Sequence, residues 1–398
     1  MRQSQKLYNV EDARRLARRR MPRMMFDFVA GAAGSETGKK LNQSSLKTIK
    51  LQPRALINIE NGSLAANILG QPMGLPFGFA PMGMCELSWP GADRFMAAEA
   101  VRRNIPLCVS TASSTTLEDM QRLSGGRAWF QLYTGTNSAA TEELIARAEA
   151  AGYSVLIMTV DTPKLSRRIR DQRNGFQVPF RFGPKQILDF ALHPRWSIAT
   201  LLNGIPKPMN YETSRTEKTF KRGDSRGATD WNFLDALRKR WGGKLVIKGV
   251  MSPEDAVRMR DAGVDSVYVS NHGGRQLDQV DGAIDILAEV APIVGDKAEI
   301  AIDGGFLRGT DVLKAVALGA DAVGIGKLQV WALALGGPAG LARAMDIMAD
   351  EISAAMGLMG ITMIEEINCD YVKKSYPVGS GSMADVFPQL DADGCPLE

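Results

Sequence analysis

A histidine and an arginine lie three residues apart in the segment 269–278, which reads VSNHGGRQLD. The apolar run 266–269 leads into it, so the pattern predicts a strand that ends in a glycine-rich loop. His272 is of the side-chain type best suited to take a proton near neutral pH, and the planar guanidinium of Arg275 suits a carboxylate or phosphate. The alternative is an ordinary polar turn. The chain has only two histidines, which favours a chemical role for this one.

The composition excludes several classes of protein. With 398 residues, 45% of them hydrophobic and 23% charged, the chain has ample material for a folded core. No apolar run approaches the ~20 residues of a membrane-spanning helix, and the N-terminus lacks the apolar segment of a secretory signal. The four cysteines show neither metal-type spacing nor a disulfide framework, so we expect a reducing, cytoplasmic location. A net charge of +4 is too small to indicate nucleic-acid binding.

Eight short apolar runs alternate with segments of helical periodicity from residue 75 onward. The runs are 75–80, 105–110, 128–133, 155–161, 245–249, 267–271, 299–303 and 322–326. The helical segments are 92–103, 117–123, 139–151, 232–241, 253–262, 283–290, 310–318 and 338–356. This alternation predicts a parallel sheet, and eight units favour an α/β fold of the (β/α)8 TIM-barrel type over about residues 75–357. No GxGxxG motif follows the first strand, which counts against a dinucleotide-binding fold.

The remaining segments are expected to belong to the same single domain, residues 1–398. Residues 9–30 predict N-terminal helices interrupted at Pro22, and residues 41–75 predict irregular structure with short strands. A long insertion, about residues 163–230, follows the fourth strand. Connections of this length are usually functional or disordered.

The insertion is basic and partly apolar. Between residues 163 and 226 it has fourteen Lys and Arg against five Asp and Glu, and residues 187–202 are strongly apolar around Trp196. Basic and aromatic residues together suit an anionic bilayer, so residues 187–209 are a candidate peripheral membrane contact. A lid on the barrel or a subunit contact is an equally open interpretation. The second histidine, His193, is interpreted as structural.

Active sites of such barrels lie at the C-terminal ends of the strands. Here the strand ends supply small or polar residues: Pro81, Met82, Gly83, Ser110, Gln131, Tyr133, Thr159, Asp161, Lys248, Ser270, Asn271, His272, Asp303, Gly304, Gly305, Gly326 and Lys327. The loops after strands seven and eight commonly bind phosphate, and glycine lets the backbone approach an anion. The ring therefore predicts a mononucleotide cradle. For a flavin mononucleotide, Lys248 would be the cation near the atoms that gain charge on reduction.

Several motifs together resemble the FMN-dependent L-2-hydroxy-acid oxidases and dehydrogenases, which include glycolate oxidase, flavin-type L-lactate dehydrogenase and mandelate dehydrogenase. They are SNHGGRQLD, TVDTPKLSRR at 159–168, VIKGV at 246–250, WFQLY at 129–133 and DGG…RGTDV…ALGADAV at 303–323. The resemblance covers about residues 8–363. The insertion is most similar to the segment that attaches bacterial lactate and mandelate dehydrogenases to the membrane, and a homo-oligomer, a tetramer, is expected from the family.

The resemblance also implies residue roles. His272 would take the substrate's α-proton, or its hydroxyl proton if the carbon-bound hydrogen leaves as hydride, and Asp161 would stabilise the imidazolium. Arg275 and Arg168 would hold the carboxylate, and Tyr133 would contact the substrate oxygen. Lys248 would stabilise the reduced flavin. FMN would be bound by Pro81, Met82, Gly83, Ser110, Gln131, Thr159, Ser270, Asp303, Gly304, Gly305, Gly326 and Lys327.

The implied activity is oxidation of an L-2-hydroxy acid to a 2-oxo acid, with electrons passing to a quinone or another carrier. An oxidase that makes peroxide from O₂, and an FMN barrel of weakened or altered activity, are the alternatives. The protein is expected in the cytoplasm or peripherally on the inner face of the cytoplasmic membrane.

Three positions depart from the family pattern. Phe28 stands where a tyrosine usually binds the substrate carboxylate, and the lost bond costs about 1.5–3 kcal/mol. Leu307 and Lys327 stand where arginines usually hold the phosphate, with Arg308 as a neighbouring substitute for the first. Gly83 and Ala112 are expected to leave room, so we predict a substrate larger than, or differently shaped from, glycolate.

Overall fold

A closed barrel of eight parallel strands forms the centre of the molecule, which confirms the predicted (β/α)8 architecture. The computed structural model describes residues 6–134, 138–177, 180–215, 227 and 229–374; residues 216–226 of the basic insertion and Cys395 lie outside them. The barrel strands are β1 (Phe77–Phe79), β2 (Leu107–Ser110), β3 (Ala128–Leu132), β4 (Val155–Thr159), β5 (Lys244–Val250), β6 (Ser266–Val269), β7 (Glu299–Asp303) and β8 (Ala322–Ile325). Closure occurs between β8 and β1, where Val323 pairs with Phe77.

The strands form because their residues are apolar on both faces, as strands between a packed barrel interior and a layer of helices must be. All residues of β2, β3, β4 and β6 are buried. The register brings polar residues near the C-terminal ends side by side: Ser110 lies opposite Gln131, and Thr159 lies opposite Lys248. The register therefore assembles the ring of polar groups that the sequence predicted.

A helix follows each barrel strand. These helices are Ala92–Arg103, Leu117–Leu123, Ser138–Ala150, Trp231–Arg240, Pro253–Asp261, Ala283–Val294, Gly309–Ala317 and Lys327–Met359. Side-chain caps start several of them; Thr116, Asp230 and Ser252 each accept a backbone N–H three residues ahead. The last helix is two helices joined at Gly336 and Gly337, which have non-helical backbone angles.

Three further helices, Val10–Arg20, Arg23–Ala30 and Thr37–Thr48, precede the barrel. The first two follow the prediction, and Asn9 caps the first. The third corrects the expectation of irregular structure from residue 41. Its first turn is capped from a distant loop, because the Asp278 carboxylate accepts the backbone N–H groups of Ser35 (2.7 Å) and Gly38 (2.9 Å). A cap supplied from 240 residues away leaves no local sequence signal.

Two antiparallel strand pairs lie outside the barrel. Ile49–Leu51 pairs with Val372–Lys374, and Ala66–Ile68 pairs with Gln71–Met73. They agree with the short strands expected between residues 41 and 75.

The described part of the insertion consists of short helices: Ile169–Asn174, Pro184–Ala191, Pro194–Asn203 and Met209–Glu212. Trp196 is buried, and its indole N–H donates to the carbonyl of Leu87 (2.7 Å). Asn210 is also buried and accepts the backbone N–H of Leu117 (2.7 Å). Trp196 therefore fastens the insertion to the barrel.

A row of aromatic rings, in stacked, tilted and edge-to-face contacts, joins the insertion to the N-terminal helices. Successive ring centroids are 4.1 to 5.8 Å apart along Phe28, Phe176, Phe180, Phe182, Phe190 and Trp196. Aromatic pairs at these distances stabilise beyond the area they bury. The row thus packs the insertion against the helix that carries Phe28. Among the described helices, none is long and apolar enough to cross a membrane.

Asp93, in the first turn of helix Ala92–Arg103, fixes the loop that follows β2. Its buried carboxylate accepts the backbone N–H groups of Ser114 (2.8 Å) and Thr115 (3.0 Å). Burial, together with the nearby Glu86, raises the pKa of Asp93 to about 7. The folded protein therefore holds this proton more tightly than the unfolded chain does.

The stability that this proton contributes is complete below the ordinary pKa of 3.8 and is lost as the pH rises through about 7. Asparagine keeps an acceptor oxygen without ionising, so Asp93→Asn should raise Tm more at about pH 8 than at about pH 5. Thermal denaturation at both pH values measures this difference. The control is Asp119→Asn, because Arg122 lowers the pKa of the half-exposed Asp119 and no such gain is expected. Equal Tm changes for Asp93→Asn at both pH values would contradict the prediction.

Candidate active site

His272 sits in the loop that follows β6, in a left-handed backbone conformation with φ 58°. Gly273 and Gly274 continue this conformation with φ 64° and 74°. The turn is closed by the Ser270 hydroxyl, which accepts the backbone N–H of His272 at 3.0 Å. Left-handed conformations cost little for glycine and more for histidine, so the surrounding contacts must hold His272 in place.

The imidazole of His272 is oriented by a carboxylate. Both oxygens of Asp161 lie 3.1 Å from Nδ1, and the Tyr133 hydroxyl lies 3.4 Å from Nε2. An ionised carboxylate only accepts hydrogen bonds, so Nδ1 carries the proton and Nε2 is left as the basic atom. Asp161 approaches this closely because Gly249 lies behind it; a Cβ there would be 2.7 Å from the Asp161 Cβ. The pair has the geometry of a general base with its orienting acid.

Two arginines line the same cavity as His272. Arg275 donates through Nη1 to the carbonyl oxygens of Phe28 (2.7 Å) and Gly31 (3.1 Å), at the C-terminal end of helix Arg23–Ala30. Arg168 donates through Nε to the carbonyl of Arg275 (3.2 Å), which ties the two loops together. A guanidinium has five N–H donors in a planar fork, so both arginines retain the chemistry to bind an anion.

Phe28 holds one of these arginines through its ring. The ring stacks on Phe176 with centroids 4.1 Å apart and planes 8° apart, and the Arg275 Cζ lies 5.2 Å from its centroid. The ring face attracts the cation electrostatically. Phe28 thus positions Arg275, whereas the tyrosine expected from the family would donate to an anion directly.

Lys248 is the centre of a buried polar network. Its Nζ donates to the Ser270 hydroxyl (2.7 Å) and to Asp303 Oδ2 (2.5 Å), and Ser270 in turn donates to Asp303 Oδ1. Lys248 is only 3% exposed, so the carboxylate is needed to offset the cost of burying its charge. Because Ser270 also accepts from His272, the network connects the histidine loop to the wall of the cavity.

The glycines after β7 form one end of the cavity. Gly304 and Gly305 have φ 112° and 88°, and a Cβ on Gly305 would lie 3.0 Å from the Asn42 Cβ. Asn42 exchanges two side-chain hydrogen bonds with Asn271, of 2.8 and 2.9 Å. Sequence reasoning missed Asn42, because a lone asparagine in a polar segment carries no signal of its distant partner.

Two cations at this end of the cavity, Arg308 and Lys327, differ in the partners that they have in the folded protein. Arg308 donates to the Glu351 carboxylate at 2.7 Å, which argues against its substituting for the arginine replaced by Leu307. Lys327 makes no hydrogen bond within the described part of the chain, and Glu36 supplies a nearby negative charge. Removal of the ammonium from water, with Arg275 and Lys39 nearby, lowers the pKa of Lys327 well below the ordinary value. An anion bound here would offset that cost.

The cavity has a volume of about 610 Å³. The sequence-predicted residues that line it are Phe28, Pro81, Met82, Gly83, Ser110, Tyr133, Arg168, Lys248, His272, Arg275, Asp303, Gly304, Gly305, Gly326 and Lys327. Asp161, Gln131, Thr159 and Ser270 lie behind this lining. Gln131 donates to the Thr159 hydroxyl (3.0 Å), and its own buried oxygen has no partner among the described residues. A ligand with an N–H donor and an anionic group, such as FMN, fits this set of residues.

The structure leaves little space beside Gly83 and Ala112, where the sequence predicted room for a larger substrate. Both line the cavity, but a Cβ on Gly83 would lie 2.8 Å from the Ala112 Cβ. Close approach of the two backbones, rather than empty space, requires this glycine. The space for a larger substrate must therefore lie elsewhere along the cavity.

Comparisons with known proteins show which family the chain belongs to. The profile of the family described as FMN-dependent dehydrogenase matches residues 17–374. (S)-Mandelate dehydrogenase from Pseudomonas putida is 35% identical over 375 residues, covering 93% of this chain and 95% of that protein. L-lactate oxidase from Nostoc sp. is 34% identical over 370 residues, covering 92% and 97%. A crystal structure of the monotopic membrane protein (S)-mandelate dehydrogenase matches with a TM-score of 0.88 and 34% identity, covering 93% of this chain and 100% of that one.

The match spans the barrel, the N-terminal helices and the insertion, and it confirms the resemblance that the motifs indicated. FMN is accordingly the cofactor and redox chemistry the activity. The chain is an oxidoreductase that belongs to the FMN-dependent dehydrogenase family.

Proposed function

We propose that the protein oxidises an L-2-hydroxy acid to the corresponding 2-oxo acid. The observation that carries the proposal is the Asp161–His272 pair, which faces a cavity that two arginines also line. A base beside a carboxylate clamp is what removal of a proton next to a carboxylate requires. The relatives named as mandelate dehydrogenase and lactate oxidase act on acids of this class.

His272 Nε2 takes the proton, from the α-carbon or from the hydroxyl if the carbon-bound hydrogen leaves as hydride. Asp161 stabilises the imidazolium that results, and the Tyr133 hydroxyl, 3.4 Å from Nε2, contacts the substrate oxygen. Arg168 and Arg275 bind the carboxylate. FMN, when bound, accepts the two electrons.

The cofactor is held by residues at the strand ends. Lys248 would supply the positive charge for the part of the flavin that gains negative charge, and the Gln131 oxygen would accept from an N–H of the flavin. Lys327 and the glycine turns bind the phosphate. The backbone of Pro81 to Gly83, with Ser110, Thr159, Ser270 and Asp303, completes the set. Leu307 contributes no charge, so Lys327 is the main cation for the phosphate.

The direct test is anaerobic bleaching of the bound flavin by a panel of L-2-hydroxy acids. His272→Ala should abolish bleaching while the protein stays yellow, because the base is lost and the FMN contacts remain. Asn271 and Ser270 are left unchanged, so the loop turn is retained. The control is His193→Ala in the insertion, which should bleach normally. Flavin reduction by His272→Ala at the wild-type rate would refute the assignment of the base.

Phe28 offers a test of substrate binding. Phe28→Tyr restores a hydroxyl that can donate to the carboxylate, and a hydrogen bond to a charged group contributes about 1.5–3 kcal/mol. The KM for small 2-hydroxy acids should fall roughly tenfold or more. Phe180→Tyr, farther along the same aromatic row, is the matched control and should leave KM unchanged. If Phe28→Tyr has no effect, Phe28 does not face the carboxylate.

We further propose that the insertion rests on a membrane surface, where a lipid-soluble quinone would be the electron acceptor. Helices Pro184–Ala191 and Pro194–Asn203, with the residues just after each, expose a set of large apolar side chains: Ile187, Leu188, Leu192, Ile198, Leu201, Leu202 and Ile205. An apolar surface of this kind marks a membrane or protein contact. The related (S)-mandelate dehydrogenase is described as monotopic, which supports the membrane.

Charge substitutions test this surface better than a deletion, because removing residues 187–209 would also remove the buried Trp196. Leu201 and Leu202 are 77% and 81% exposed. The double variant Leu201→Glu/Leu202→Glu should bind vesicles of phosphatidylethanolamine and phosphatidylglycerol roughly a hundredfold more weakly, measured by co-sedimentation. The control Leu56→Glu/Leu358→Glu alters exposed leucines outside the insertion and should bind as wild type does. Wild-type protein that fails to sediment would favour the lid or subunit contact.

Oxygen is the alternative acceptor. This alternative is supported by the sequence identity to L-lactate oxidase, 34%, which is similar to the 32% identity to an L-lactate dehydrogenase. Peroxide formation at the rate of substrate oxidation, with no stimulation by a quinone, would establish the oxidase and exclude the membrane acceptor.

A further inference from the structure

Tyr268 is a buried titratable residue inside the barrel that the proposed reaction does not use. It lies in β6 and is 2% exposed. Its hydroxyl enters space next to β8 that exists only because residue 324 is glycine. A Cβ built on Gly324 would lie 1.9 Å from the Tyr268 hydroxyl oxygen, which is far inside contact distance. The two residues are therefore a matched pair.

The strand register explains why this tyrosine lies among the charges of the site. Tyr268 is opposite Lys248 on β5, and Asp303 on β7 is opposite Gly324. The Lys248 Nζ lies 4.3 Å from the centroid of the Tyr268 ring, within the range of a cation–π contact. The hydroxyl lies near the Asp303 carboxylate, whose charge contributes to raising the pKa of Tyr268. Tyr268 thus lies beside both members of the buried ion pair.

The protonation state of Tyr268 makes it a donor. Burial, and then the negative charge of Asp303, raise the pKa of Tyr268 well above its ordinary value. The neutral phenol keeps its O–H dipole beside Asp303, which accepts hydrogen bonds from Lys248 and Ser270. This dipole offsets part of the carboxylate charge, so less of it is directed at Lys248.

We propose that Tyr268 is a positioning residue, which sets how much of the positive charge of Lys248 reaches the flavin, and that Gly324 is required to admit its hydroxyl. The proposal rests on the proposed FMN site and on the contact of Lys248 with the flavin. Without the hydroxyl, Asp303 draws the ammonium more strongly, and the negative charge of reduced FMN is less well compensated.

The test uses the FMN-loaded protein and Tyr268→Phe, which removes one oxygen. We expect the midpoint potential of the flavin to fall, and the dissociation constant of sulfite, an anion whose binding to oxidised flavin reports the same positive charge, to rise about threefold or more. Tyr153→Phe is the matched control, because the buried Tyr153 hydroxyl donates to the Leu117 carbonyl (2.7 Å) outside the site. It should lower stability without moving the potential.

A double variant separates packing from the effect of the hydroxyl dipole. Gly324→Ala alone should destabilise the protein, because its methyl group collides with the Tyr268 hydroxyl. In Tyr268→Phe/Gly324→Ala the methyl refills the vacated space, so Tm should recover while the potential stays low. A potential that returns to the wild-type value in the double variant would overturn the proposal, as would an unchanged potential in yellow Tyr268→Phe. Wild-type protein that does not bind FMN would instead refute the proposed cofactor site.

Discussion

The buried ion pair between Lys248 and Asp303 is the interaction on which the rest of the site depends. An unpaired lysine at this depth would cost several kcal/mol, and the carboxylate offsets that cost only because further donors complete its shell. Ser270 is one such donor, and its oxygen also accepts the backbone N–H of His272. The Lys248–Asp303 pair and the His272 loop are thereby tied together by one hydroxyl, so neither can move independently.

The second constraint is that the N-terminal segment closes the site from outside the barrel. Helix Arg23–Ala30 offers its last carbonyls to Arg275, and such a position also places the cation at the negative end of the helix dipole. Asp278 caps helix Thr37–Thr48, and Asn42 from that helix holds Asn271. The substrate clamp is therefore assembled by residues about 240 positions apart, and small changes before residue 50 should be felt at His272.

The departures at Phe28, Leu307 and Lys327 alter how charge is distributed along the cavity. The Phe28 ring contacts the Arg275 guanidinium, and Arg308 forms an ion pair with Glu351. Lys327 is therefore the cation available to bind an anion at the end of the cavity that the glycine turns form. A lysine gives a point charge where an arginine would give a planar fork, so an anion bound at Lys327 would be held with less geometric specificity. The three changes spare the Asp161–His272 pair.

The sequence by itself determined the barrel and predicted which polar groups meet at the C-terminal ends of its strands. Eight apolar runs spaced by helical segments allow few folds, and strand ends of a parallel barrel must share one face, so His272, Asp161 and Lys248 could be placed together from spacing and motif. The tertiary structure alone decided which partners hold them. The cap from Asp278, the Asn42–Asn271 pair, the burial of Trp196 and the fit of Tyr268 against Gly324 each join segments far apart in the chain. Such contacts depend on distances of a few ångströms between helices, strands and loops, and the hydrophobic periodicity of a sequence does not encode these distances.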